Sequence, residues 1–397
     1  MIVASLGLAL AADHVVGDGY ASVQAAVDAA SPGDTVVLGE GVWPGPVTVD
    51  KALTLRSDGG LLVGDAGTTL RIAVPGVLVD QLRVQGSGDD LQGPDACIYV
   101  EPEATGTVIT DSQLSDCLFG IWVHEADGTR IEGNHIVGRP GERPASKGNG
   151  VHLFDASELT IRGNTVEGAR DGIYVSACED SVIAENVVSH QRYGIHFMYS
   201  YDNVIRDNVA NHNSGGIALM QSRNLEVVGN TATDNDRHGI LFRDAQYSTI
   251  AHNHVANNAE GLFFFSSLDN TIEGNLIAGN QIGARVWAGT ERNVVRDNRF
   301  VGNRQQVYYV ASADQHWDAN YWSDYLGWDQ DGDGYGDRPY ETDALLARLL
   351  HSYPSAVLLL NSPALELLLQ LQSRVPALDV PAVVDEAPHI APPGEDS

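Results

Sequence analysis

Glycine followed by an aliphatic or small residue recurs at Gly120-Ile121, Gly150-Val151, Gly172-Ile173, Gly194-Ile195, Gly216-Ile217, Gly239-Ile240, Gly261-Leu262 and Gly283-Ala284, at intervals of 30, 22, 22, 22, 23, 22 and 22 residues. A second series, Asn164, Asn186, Asn208, Asn230, Asn253, Asn275 and Asn298, runs in phase with it. Two ladders with one period mark a solenoid, in which each coil buries its apolar side against the next. Within a coil, short alternating segments are separated by Gly, Asn or Asp, as in Gly194-Ile-His-Phe-Met198, Asn203-Val-Ile-Arg206 and Asn208-Val-Ala210. Three short strands per coil, each pairing with its copy one coil away, give parallel sheets. The expected fold is all-β, a right-handed parallel β-helix. The Asn series fits turns in the left-handed conformation, with amides free to bond between coils.

A chain of 397 residues exceeds the roughly 250 to 300 at which one globular core stops growing, but a solenoid core lengthens without thickening. Strand alternation assigns its faces. The first and third residues after each Gly are apolar, as in Ile195/Phe197, Ile240/Phe242 and Leu262/Phe264, and point inward. The second and fourth point outward: Trp122/His124, His152/Phe154, Tyr174/Ser176, His196/Met198, Ala218/Met220, Leu241/Arg243, Phe263/Phe265 and Arg285/Trp287. An outer face so rich in His, Met and aromatics is either a binding surface or covered by another segment.

Open sheet edges need caps. Ser22 to Ala30 reads as an amphipathic capping helix with Ser22 as N-cap, ended by Ser31-Pro32-Gly33. The expected organisation is a signal segment over 1–12, the β-helix with its N-terminal cap over 13–304, an Asp-rich module over 305–342 where the repeat lapses, and a helical cap with an extended tail over 343–397. The cap helices are expected over residues 343–350 and 363–372.

The 53 acidic and 23 basic residues give a net charge of −30, and the only lysines are Lys51 and Lys147. That excludes nucleic acid as an expected partner and disfavours polyanionic sugars. The apolar run from Ile2 to Leu10, followed by Ala11-Ala12, fits a signal h-region without its basic n-region; a buried first strand is the alternative. Cys97, Cys117 and Cys178 follow no C-x-x-C spacing, so they are buried small apolar residues, or Cys97 and Cys117 bridge adjacent coils in an oxidising compartment.

Adjacent coils lie about 4.8 Å apart, which stacks Met198 and Met220 with His196 on the same face. His152 occupies the matching position two coils earlier, and His238 precedes Gly239. Thioethers with imidazole are soft ligands that suit Cu(I). The competing reading is an apolar patch under a loop or partner. Asp329, Asp331, Asp333, Tyr335 and Asp337 occupy positions of an EF-hand-type Ca²⁺ loop, whose closing position holds Tyr340 with Glu341 one place late. Turn acids such as Asp171 and Glu260 are read as solvated. No phosphate loop occurs.

The opening Ser22-Val-Gln-Ala-Ala-Val-Asp-Ala-Ala-Ser-Pro-Gly-Asp34, the coil Tyr193-Gly-Ile-His-Phe-Met-Tyr-Ser200 and the segment from Asn320-Tyr-Trp-Ser-Asp-Tyr325 to Tyr340 resemble the NosD family of periplasmic maturation proteins of nitrous oxide reductase. The resemblance spans nearly the whole chain. It implies a non-enzymatic accessory protein, exported and held at the inner membrane through partners. Those partners would be the membrane subunit and ATPase of an ABC transporter, a copper chaperone lipoprotein and nitrous oxide reductase, whose copper-sulfide centre it helps to assemble. Copper handling would fall to His196, Met198 and Met220. Leu345, Leu346, Leu349, Leu350, Leu365, Leu368 and Leu369 would then cap the solenoid and dock the membrane subunit.

Two other readings share the fold, because fold does not fix function. A polysaccharide lyase, hydrolase or uronate epimerase needs a base and cations along one groove, and no Arg cluster is evident in the sequence on the Met-bearing face. A metal-free surface-binding solenoid would use the Met pair only as contact surface.

Overall fold

The computed structural model describes residues 11–141, 143–309, 314–342 and 383–393, with isolated positions between 353 and 371. The chain forms two compact units, one ending at Arg192 and one beginning at Tyr193. Each is a parallel β-helix with three short strands per coil, the strands pairing with their copies in the next coil. The expected fold class holds, and Val23–Ala29 forms the N-terminal capping helix. Ser22 accepts a hydrogen bond from the Ala25 amide, and Val23, Ala26 and Val27 are buried. At the other end of this helix, Lys51 donates to the carbonyls of Val27, Asp28 and Ala30 at 3.0, 2.8 and 3.1 Å. A cation there satisfies the open carbonyls and opposes the helix dipole.

Close approach explains the glycine ladder. A Cβ on Gly216 would lie 2.5 Å from the Gly239 carbonyl, and one on Gly261 equally close to that of Gly283. The asparagine amides bond between coils as expected, but the left-handed corner is not theirs. Asn208, Asn230, Asn253, Asn275 and Asn298 are buried, and the residue before each takes the left-handed corner: Asp207, Gly229, His252, Gly274 and Asp297. Each Asn Oδ1 beyond the first accepts the backbone amide of the Asn one coil earlier at 2.9–3.0 Å. The amide must face inward to span coils, so the corner falls to its neighbour. A parallel ladder, Asn213, Asn235, Asn258, Asn280 and Asn303, was legible at the same period but absent from the sequence reading.

The repeat does not lapse at residue 305. Gln305–Tyr309, His316–Asp318 and Tyr321–Trp322 pair with the three strands of the preceding coil. Gln306 replaces the usual glycine, which hides the coil from a glycine-based alignment, while Asn320 continues the asparagine ladder. The tail is also built in. Val384–Asp385 adds beside Trp317 in parallel and beside Tyr340–Glu341 in antiparallel. The expected signal run over 1–10, the expected helix over 343–350 and the seven leucines assigned to docking lie outside the described residues; of the expected helix over 363–372, only Pro363, Leu367 and Leu371 are described, and they are helical.

Candidate functional site

In the second unit, Tyr193–Met198, Gly215–Met220, His238–Arg243, Glu260–Phe265 and Ile282–Val286 are consecutive strands of one sheet. Register places Met198 directly opposite Met220 and His196 opposite Ala218. Alternation turns all three predicted ligands to the outer side. That side is nonetheless mostly buried: His196 is 3% exposed and Met220 7%, Ala218 and Leu241 are also buried, and Met198 is half-buried. Met220, Ala218 and Leu241 form one apolar cluster against which Met198, Tyr193 and Phe263 pack. The His196 ring lies 5.0 Å from the Tyr193 ring. The result is two thioethers and an imidazole on one face, in an environment that penalises charge. Such a set prefers a soft, singly charged ion over a hard divalent one.

His238 stands two coils from this trio's first strand, on the same sheet. Its ring stacks on Phe263 at 5.1 Å, and Nδ1 lies 2.8 Å from Glu260 Oε2, close enough for an ion pair but off the line of a hydrogen bond. Glu260 also accepts from Arg285 through a short contact. Burial works to raise the Glu260 pKa, but His238 and Arg285 together outweigh it and hold the carboxyl below its ordinary range. Arg285 is clamped over Trp287 at 4.4 Å and over Phe263 at 5.3 Å. The carboxyl expected to be solvated is 9% exposed, and the other such acid, Asp171, is 1% exposed and bonded to Arg192 at 2.8 and 2.5 Å. Arg237, His238, Glu260, Phe263, Phe265, Arg285 and Trp287 line a cavity of about 400 Å³. Arg237 and Arg285 therefore meet at one cavity, a pairing that the sequence did not make evident. Arg237 escaped the sequence reading because it precedes the strand and reaches the cavity only through the turn.

His152 lies in the first unit, in a different setting. Its ring stacks flat on Trp122 at 4.4 Å and meets Phe119 and Tyr174 at 5.3 and 5.0 Å. Burial among these rings pushes its pKa down to about 4, so it is neutral at pH 7. In the same unit Cys97 and Cys117 form a disulfide with Cα atoms 5.5 Å apart, the bridging alternative of the two, while Cys178 is a buried thiol that donates to the Ser176 carbonyl at 3.3 Å.

The Asp-rich loop brings Asp329, Asp331 and Asp333 together, with one oxygen of each within 4.8 Å of the others. Backbone amides of Gly334 and Gly332 donate to Asp329 and hold its carboxyl below the usual range. Asp337 accepts from the Gln330 amide. Tyr340 faces away: it is buried, with its ring stacked on Trp322 at 4.3 Å. Tyr335 stacks on His389 of the tail at 4.8 Å.

Residues 139–327 match the family described as "Periplasmic copper-binding protein (NosD)". A protein of Pseudomonas aeruginosa named "Probable ABC transporter binding protein NosD" is 39% identical over 90% of this chain and 88% of that protein. One of the same name from Stutzerimonas stutzeri is 37% identical over 90% and 87%. Among solved structures, the A-module of Azotobacter vinelandii mannuronan C-5 epimerase AlgE4 is 19% identical, with TM-score 0.53, covering 77% of this chain and 96% of that one. A family 28 exopolygalacturonase of Yersinia enterocolitica is 11% identical, with TM-score 0.62, covering 78% of each. These two likenesses show a shared fold and nothing of substrate. The sequence relatives, at this identity and along this length, make the chain a member of the NosD family.

Proposed function

We propose that this protein is a non-enzymatic periplasmic accessory factor that binds Cu(I) through Met198, Met220 and His196. It passes the ion on during assembly of the copper-sulfide centre of nitrous oxide reductase, working with an ABC transporter and receiving copper from a chaperone lipoprotein. The observation that carries this reading is the register of the two methionines. Apart from Met1, they are the chain's only ones, and they face each other across adjacent strands in a desolvated cluster beside a buried histidine. The family description and the transporter-binding names of the relatives support it. Copper is cargo here, so a site of few soft ligands that a partner can complete suits transfer better than a closed cage. His238 is committed to Glu260 and His152 to its aromatic stack, so neither belongs to this core set. Attachment at the membrane would run through the leucines of residues 345–369.

Within the same reading, Asp329, Asp331, Asp333 and Asp337, with the Tyr335 carbonyl, would hold a structural Ca²⁺ that ties the loop to the tail. Oxygen-only ligands fit that ion.

Anaerobic titration with Cu(I) against a competing chelator tests the copper site. Stoichiometric binding by the wild type, lost in Met198→Ala/Met220→Ala, is expected. Equal binding by both would remove copper from this face.

A further inference from the structure

We propose that the cavity bounded by Arg237, Glu260, Phe263, Arg285 and Trp287 is a binding site for a carboxylate carried on a ring. The case begins with charge. The chain has 53 acidic residues against 23 basic ones, yet this cavity is lined by one carboxylate and two guanidinium groups. Glu260 spends its charge on Arg285 and His238. Arg237 makes no ion pair with any described residue and faces the same space. A fixed positive group beside an already neutralised pair selects an anion, and a guanidinium fork matches a planar carboxylate with two parallel hydrogen bonds.

The walls add a second requirement. Phe263, Phe265 and Trp287 are half-buried and leave part of their faces to the cavity. Arg285 cannot swing to meet a ligand, because it is held over Trp287 and Phe263 and bonded to Glu260. Its buried Nε has no hydrogen-bond acceptor among the described residues, so the side chain acts as a rigid plate that keeps this donor unspent. A ring with an apolar face would pack on these aromatics while its carboxylate meets Arg237. A small hydrated anion would gain only the second contact. Arg237 is exposed and Trp287 half-buried, so both tolerate substitution, and neither belongs to the copper set proposed above.

Calorimetry on the purified full chain with galacturonate, benzoate and acetate tests this, alongside methyl galactoside and benzyl alcohol as neutral counterparts. At least one ring acid should bind saturably, about tenfold or more tighter than acetate and than its neutral counterpart, a ratio expected of a charge-assisted contact. Whether galacturonate or benzoate binds identifies a sugar acid or an aromatic acid as the ligand. Arg237→Gln should weaken that acid about tenfold with an unchanged melting temperature, and Trp287→Leu should weaken the ring acid while leaving acetate unaffected. No saturable binding, ring acids no tighter than acetate, neutral counterparts binding as well as the acids, or Arg237→Gln binding like wild type would each overturn the proposal.

Discussion

Asp385 closes the asparagine ladder 65 residues downstream of its last rung: Oδ2 accepts the backbone amide of Asn320 at 2.9 Å and the Asn320 side chain at 3.0 Å. The same oxygen accepts from Trp322 Nε1 at 3.0 Å. A carboxylate fits here because the last rung among the described residues has donors to satisfy and no further described coil to donate to. Around it, the Ile390 and Gly336 amides bond to Gly334 and Pro388 carbonyls, fastening the tail to the Asp-rich loop.

Replacing Asp385 by leucine should orphan the Asn320 backbone amide and Trp322 Nε1, while the Asn320 side chain keeps the Val295 carbonyl, and destabilise the end of the second unit by about 2 kcal/mol or more. Asp385→Asn, which keeps an acceptor, should cost less. Thermal melting with amide hydrogen exchange at Asn320 distinguishes them; fast exchange in the leucine variant alone is the expected outcome.

Asn253 occupies a mid-ladder position where its side chain accepts from the Asn230 backbone amide and donates to Asn275 Oδ1 and to the Val227 carbonyl. Asn253→Leu should cost about 2–4 kcal/mol, since the buried donors and acceptor around it lose their partners inside a low-dielectric core. Denaturant unfolding measures this, and a loss below 0.5 kcal/mol would show that the ladder sets register without contributing stability.

Volume-conserving substitution separates packing from ligation at the methionines. Met198→Leu/Met220→Leu should lower stability by less than about 1.5 kcal/mol while abolishing Cu(I) binding, because leucine fills the space but offers no sulfur. Copper retained by the leucine pair would mean that the thioethers are packing alone.

The neutral His152 gives a pH dependence of definite sign. Its pKa is about 4 in the fold and about 6.5 in the unfolded chain. Between those values the unfolded chain binds more protons, so stability falls as pH drops through that window, by roughly 3 kcal/mol at full extent for this group. His152→Phe keeps an aromatic ring on Trp122 and cannot take a proton. The gap in unfolding free energy between pH 7.5 and 4.5 should narrow in that variant; an unchanged gap would assign the acid loss to other groups.

Calcium, if it occupies the Asp-rich loop, should raise the melting temperature and protect the amides of residues 329–337 and 388–390 together, because the loop and the tail are bonded to each other. Asp329→Asn should erase both effects. Protection confined to the loop would uncouple the ion from the tail.

The coil is written in the order of the residues. Its period, its inward residues and the Met198–Met220 register follow from local rules, because a parallel strand pairs with its own copy and the glycines admit only one spacing between coils. The N-terminal helix was equally local, written in Ser22 and the stripe of Val23, Ala26 and Val27. Relationships that cross the repeat arise only once the coils are packed. Gln306 carries a coil without its glycine because neighbouring strands hold it in register. Asp385 returns to the sheet across residues that share no period with it. Arg237, outside the strand pattern, joins Glu260 and Arg285 at one cavity because the turn brings it there. Burial of Glu260 and Asp171 likewise depends on the cations that adjacent coils supply, and a single coil's sequence has no record of its neighbour's charge.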